Sequence, residues 1–207
     1  AYHVRVKANG TVLASETETY TITAFTATQE TKPTAAFTAT GPNSGTLSNL
    51  ENGGEYAVTG AAVANFTASG TTHDLTGVSA GVLTIVKKGN GTTTTDSTAQ
   101  TITVTKAATP TGVTAVDCTA AGNDGKLQNV TNAMEYQKSG AGTWTACGGT
   151  EVTGLTNGTY LVRVKATGTV LASDNQSVVV AAYVAPTEYT ITFNGNGGSG
   201  TIPSQTT

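Results

Sequence analysis

The sequence is poor in almost everything from which a reaction centre is built. Only 11% of its residues are charged, less than half the usual share of about 25%. Ten Lys and Arg stand against 13 Asp and Glu, a net charge of −3, and the charges are scattered. No basic stripe exists to follow a phosphate backbone, so a nucleic-acid partner is not expected. No apolar run approaches the ~18 residues of a bilayer-crossing helix, so membrane insertion is not expected either. Two His, two Cys, one Trp and one Met leave little material for metal or nucleophile chemistry. The chain opens at Ala1 without a Met or a signal-like segment, so any export is expected to be specified by residues outside it.

What is abundant is threonine, 45 residues of 207, and glycine, 25. Thr with Val, Ile and Tyr favours strands, and Gly with Asn and Asp favours the turns between them. The chain also repeats itself. Tyr2 to Ser15 (YHVRVKANGTVLAS) and Tyr160 to Ser173 (YLVRVKATGTVLAS) agree at 12 of 14 positions. Asp74 to Thr92 lies over Glu151 to Thr169, and Gly45 to Tyr56 over Gly125 to Tyr136. The period is about 77 residues with a short indel, and repeats of that kind mark arrays of small modules. Pro-Thr pairs punctuate it at Pro33, Pro110 and Pro186; proline lacks the N–H that a sheet interior needs, so it marks edges and joints. The expected organisation is 1–31 as the C-terminal strands of a truncated module, 32–108 and 109–184 as complete modules, and 185–207 as the first strand and loop of a further β-rich module.

In residues 109–184 seven short strands are legible: Val113 to Cys118, Lys126 to Val130, Met134 to Lys138, Thr143 to Cys147, Glu151 to Leu155, Tyr160 to Ala166 and Ser177 to Ala182. Their period is two. In Tyr160-Leu161-Val162-Arg163-Val164-Lys165 the Tyr and both Val face one way, and Leu, Arg and Lys face the other. Seven strands with a turn every eight to twelve residues predict an all-β fold of tandem immunoglobulin-like β-sandwiches. Tyr160, following Asn157-Gly158, is placed like the tyrosine corner of such sandwiches. The six aromatics of the two complete modules, Phe37, Tyr56, Phe66, Tyr136, Trp144 and Tyr160, read first as core. Residues 1–24 carry an apolar face (Tyr2, Val4, Val6, Tyr20, Ile22) without a module around it, and that face is expected to be covered by a neighbouring chain or by sequence outside this one.

The run MEYQKSGAGTWTACGGTEVTGLTNGTYLVRVKATGTVLAS (134–173) resembles the immunoglobulin-like repeats of large Gram-positive, clostridial-type cell-surface proteins. The likeness covers 109–184, part of it returns in 1–23, and 32–108 departs from it by lacking the Trp. YTITFNGNGGSGTIPSQTT (189–207) is similar to the opening of the Listeria–Bacteroides repeat, a small β-rich module. These resemblances imply an extracellular, wall-attached or secreted protein of many modules, and they imply no chemistry.

The residues themselves offer no catalytic set. His3 falls on the polar face of its strand. His73-Asp74 lies in what reads as a loop, and adjacent residues of an extended chain point to opposite sides, which is not how a triad is built. The Gly-rich stretch Gly195 to Gly200 opens no helix and so cradles no phosphate. Asp117, Asn123 and Asp124 are candidate calcium ligands, though Asn-Asp-Gly is more economically a tight turn. Cys118 and Cys147 lack zinc spacing and are a candidate disulfide pair within one module. Gln100 and Gln176 are available for a Thr–Gln ester crosslink, but no motif selects a pair. No cofactor and no metal site are expected, and no enzyme. The expected role is a non-catalytic spacer of a bacterial cell-surface or secreted adhesin, whose partners are neighbouring modules of the same polypeptide. The alternative is a binding module for a glycan or host surface protein, with Trp144 as the candidate ligand contact.

Overall fold

The computed structural model describes residues 1–188, 190–191, 196–197 and 205–206, and among these residues the chain is all-β. The expectation for 189–207 lies largely outside the described residues. Strands β1 (Tyr2–Val4), β2 (Glu18–Tyr20) and β3 (Thr28–Gln29) come first. They are followed by β4 (Ala36–Ala39), β5 (Ser44–Ser48), β6 (Glu55–Gly60), β7 (Ala64–Thr67), β8 (His73–Thr76), β9 (Gly81–Lys87), β10 (Thr94–Thr95) and β11 (Gln100–Lys106). Then come β12 (Thr114–Val116), β13 (Gly125–Gln128), β14 (Met134–Lys138), β15 (Thr145–Ala146), β16 (Glu151–Leu155), β17 (Gly158–Val164), β18 (Val170–Leu171) and β19 (Gln176–Val180). Two compact units result. One holds Ala1–Ala36, Leu47–His73 and Val82–Ile102; the other holds Phe37–Thr46, Asp74–Gly81 and Thr103–Thr207.

The second unit contains an immunoglobulin-like β-sandwich. Its sheets are β12-β13-β16 and β15-β14-β17-β19. The period-two pattern sets the register: Tyr160 stands opposite Val178 and Lys138, and Val162 opposite Gln176 and Tyr136. Alternate residues then close one core from both sheets, made of Val113, Cys118, Leu127, Val130, Cys147, Leu155, Tyr160, Val162, Val178 and Val180. Tyr160 is the expected corner, its hydroxyl donating to the Thr156 carbonyl at 2.9 Å. The repeated glycine of the second strand also has a cause. A Cβ on Gly125 would stand 2.5 Å from Val180 Cγ1, and one on Gly45 would stand 2.3 Å from the Phe37 ring, closer than packed atoms tolerate.

The amide of Gln176 clamps the first strand of its repeat, accepting from Val113 N at 3.2 Å and donating to Val113 O at 2.8 Å. In the first unit Gln100 does the same to Ala35, at 2.8 and 2.7 Å. Both side-chain amides are thus committed to backbone groups.

Each unit also holds a short parallel bridge. In the second unit β11 pairs with β18, Thr105 opposite Val170 and Lys106 opposite Leu171. Thr105 N and Ala107 N donate to Thr169 O and Leu171 O at 3.1 and 3.0 Å. In the first unit β3 pairs with β10, with Thr28 N and Glu30 N donating to Thr93 O and Thr95 O at 3.0 and 2.9 Å. A period of about 77 residues relates the two. The first unit further contains the antiparallel pairs β6-β7 and β6-β9, with Tyr56, Val58, Leu83 and Ile85 buried.

In β1-β2, Tyr2 stands opposite Tyr20 and Val4 opposite Glu18, the register of Tyr160 with Val178 and of Val162 with Gln176. The apolar face of this pair is exposed, Val6 at 71% and Ile22 at 73%, whereas the same face of the complete copy is its core.

Candidate functional site

Trp144, half-buried just before β15, is the one indole of the chain. On the neighbouring strands Glu135 of β14 and Arg163 of β17 stand directly opposite each other, so the sheet itself sets their meeting. Arg163 Nε donates to Glu135 Oε1 at 2.7 Å, with side-chain exposures of only 12% and 17%. The guanidinium Cζ lies 3.8 Å above the centre of the Trp144 ring. A cation so placed is held by the negative face of the indole, at about 0.5–2 kcal/mol. One face of the candidate ligand contact is therefore occupied by the protein's own arginine.

In the first unit the aromatics form a stack. Phe66 lies 5.6 Å from Tyr56 and 3.5 Å from the His73 ring, nearly parallel to the latter. His73 begins strand β8 rather than lying in a loop, because β8 pairs with β5. Asp74, on the other side of that strand, accepts from Thr46 Oγ1 at 2.6 Å. Each of the two already has its own partner. His3 is exposed and contacts Thr19 Oγ1 at 3.1 Å.

An open cleft of about 610 Å³ in the first unit is lined by Glu30, Glu51, Lys87, Lys88 and Asn90 among others. At its floor Lys87 Nζ bridges Glu30 at 2.8 Å and Glu51 at 2.6 Å. The hydrogen bond to Glu30, and then that to Glu51, raises the Lys87 pKa well above the ordinary value. Lys87 in turn lowers that of Glu30, with help from Thr94. A lysine so paired is a fixed cation, not a base or a nucleophile.

Cys118 and Cys147 are free, buried thiols, and the candidate disulfide between them is not formed. The topology supplies the reason. Cys118 N donates to Ala181 O, one residue beyond the pair Gly158–Val180. Cys147 N donates to Met134 O, and Met134 stands opposite Val164. Six residues of β17 separate these levels, roughly 20 Å at ~3.3 Å per residue, far beyond the roughly 6 Å between the Cα atoms of a disulfide. Cys118 Sγ instead donates to Leu155 O at 3.4 Å, and burial pushes the Cys147 thiol pKa up.

Of the candidate calcium ligands, Asp124 closes a turn and Asp117 holds a backbone amide of a distant strand end. Asp124 accepts from both the amide and the hydroxyl of Thr119, and Asp117 Oδ1 accepts from Ala181 N at 2.7 Å. Among the described residues no three His, Cys, Asp or Glu converge to hold a metal ion, and no helix is long and apolar enough to cross a membrane.

The sequence reading missed a serine that recurs at each hairpin. Ser173 Oγ accepts from Val164 N at 2.9 Å, Ser97 Oγ from Lys87 N at 2.9 Å and Ser15 Oγ from Val6 N at 2.8 Å. In all three the serine amide donates back to the carbonyl of the same residue. The signal was present, since Ser15 and Ser173 close the stretch with 12 identities.

No family model and no curated protein matches the sequence. Among solved structures the chain is similar to a two-domain fibronectin type III segment of chicken tenascin, at 13% identity over 70% of this chain and 96% of that one, with a TM-score of 0.28. It is also similar to domains FN1–FN3 of chicken CNTN1, at 11% identity over 75% of this chain and 67% of that one, with a TM-score of 0.25.

Proposed function

We propose that the chain is a non-catalytic spacer, a run of tandem immunoglobulin-like modules (32–108 and 109–184, flanked by parts of others) from a bacterial cell-surface or secreted adhesin. The observation that carries this reading is the pair of parallel bridges at β3-β10 and β11-β18. Each lies three or four residues ahead of a Pro-Thr, at the place where one sequence repeat gives way to the next. Sheets of this kind yield only when many backbone hydrogen bonds break together. The polar, weakly charged surface and the fixed ion pairs at Lys87 and Arg163 fit a scaffold better than a reaction centre. The extracellular, Gram-positive setting and the reading of 185–207 as the start of another module belong to the same proposal.

Single-molecule stretching tests it. Two abrupt unfolding events are expected, each releasing about 25 nm for a repeat of 77 residues at no more than ~3.6 Å per residue. Smooth extension without force peaks would sink the mechanical role. A second reading, a binding module for glycan or host protein, draws on the half-exposed Phe66–His73 stack. Glycan-array binding that is lost in Phe66→Ala would favour it.

A further inference from the structure

The three serine-latched hairpins differ in one respect. The hairpin of Thr167 to Ser173 carries the end of β11, and that of Gly91 to Ser97 carries β3. The hairpin of Asn9 to Ser15 carries no strand of the described residues, although it is already folded. Asn9 and Val12 exchange both backbone hydrogen bonds, at 3.1 and 3.0 Å, and the Ser15 latch is closed. The carbonyls that receive the incoming strand are those of Thr169 and Leu171, and of Thr93 and Thr95. Their counterparts here are Thr11 and Leu13, which accept no hydrogen bond from the described residues. Leu171 is 0% exposed, while Leu13, in the same sequence context, is 88% exposed.

Charge indicates what would fit. Asp174, just beyond the occupied hairpin, pairs with Lys106 of the incoming strand at 2.6 Å. Glu16 holds the place of Asp174, at the same offset of 158 residues. An incoming strand with a cation where β11 has Lys106 would satisfy it. The closing strand of residues 109–184 does not offer that cation. It has Ala182 at this place, four residues before its Pro-Thr as Lys106 is before Pro110. The donor it should present, Ala181 N, is already taken by Asp117 Oδ1 at 2.7 Å, a self-cap of the kind that blunts sheet edges.

We propose that the Asn9–Glu16 hairpin is a docking edge for the closing strand of another repeat of this type, one that carries Lys or Arg where β11 carries Lys106. Two amides of that strand donate to Thr11 O and Leu13 O, its cation meets Glu16, and the Leu13 side chain is covered as Leu171 is. The inference rests on reading the chain as an array of repeats, but its failure would leave the two internal bridges, and hence that reading, intact.

The test uses the full chain with a second copy of Gln100 to Thr109 (QTITVTKAAT) attached ahead of Ala1 through a flexible Gly-Ser linker of about a dozen residues. Tethering supplies an effective concentration on the order of millimolar. With the added segment labelled in isotope, exchange of its two docking amides is expected to slow at least tenfold relative to a fusion bearing the scrambled segment. Exchanging its Lys for Glu, or Leu13→Asp in the chain, should remove most of that protection. Exchange as fast as in the scrambled fusion would overturn the docking edge. Protection that survives Leu13→Asp would overturn its location. Concentration-dependent dimerisation of the unmodified chain with the Asn9–Ser15 hairpin protected would overturn the occupant, making it a second copy of this chain.

Discussion

Leu13 and Leu171 occupy the same place in a stretch that is identical at 12 of 14 positions, yet one is exposed and the other fully buried. Truncating each to Ala separates the contribution of local sequence from that of tertiary contact. Leu171→Ala removes three buried carbons at about 0.8 kcal/mol each and leaves a cavity beside the β11-β18 bridge, so a loss of about 2–5 kcal/mol is expected. Leu13→Ala removes the same atoms from water, where surface substitutions stay within about 0.5 kcal/mol. For domains of this size 1 kcal/mol moves the melting point by roughly 4–8 °C, so Leu171→Ala should lower its transition by about 10 °C or more. Calorimetry measures both variants, and Trp144, the sole tryptophan and a resident of the second unit, reports by fluorescence which transition has moved. Equal losses in the two variants would place the stabilisation in the hairpin itself and exclude a tertiary origin. A Leu171→Ala loss below about 1 kcal/mol would exclude it too, because the side chain could not then be seated as described.

Three further outcomes follow from single contacts. Tyr160→Phe deletes the donor to Thr156 O and should cost about 0.5–1.5 kcal/mol, measured by urea unfolding followed at Trp144; an unchanged midpoint would remove the corner from the list of stabilising contacts. Native protein should take up no alkylating reagent, because both thiols are buried and that of Cys147 is pushed up, while unfolded, unreduced protein should take up two equivalents by intact mass; zero equivalents after unfolding would reveal a disulfide. Glu30, Asp96 and Asp124 all have lowered pKa values, through Lys87, Lys88 and Thr119 respectively. Their contribution is complete above their ordinary values of 4.5 and 3.8 and is lost as pH falls through the folded values. The melting point should therefore hold steady down to about pH 4.5 and drop below it, whereas in Glu30→Gln the drop should be shallower and begin only nearer pH 3.8; a melting point that rises on acidification would contradict the assignment.

Much of the fold was legible because strands announce themselves locally. The alternation in Tyr160 to Lys165 set which side chains face the core, and it holds in the register of β14, β17 and β19. The corner at Tyr160 was legible for the same reason, since its partner is only four residues away. What failed involved distance through space. Cys118 and Cys147 are a candidate pair by their place in one module, but their levels in the sandwich are set by pairings with Ala181 and Met134, which no local pattern encodes. His73 reads as loop because Gly70-Thr71-Thr72 precedes it, and the strand that pairs with it, β5, lies about 25 residues back in the sequence. Trp144 reads first as core and otherwise as a ligand contact; that Arg163 covers one face of it depends on cross-strand neighbours.

That this protein is all-β, repetitive and poor in charged and catalytic residue types follows from local sequence, because strand period, turn residues and composition are properties of neighbouring residues. Tertiary structure alone decided what each copy of a repeated motif does. The same Gly-Thr-Val-Leu-Ala-Ser is a buried bridge at residues 168–173 and a bare hairpin at 10–15. The reason is physical: burial and backbone pairing depend on which strand arrives from elsewhere in the chain, and that is not written within the motif.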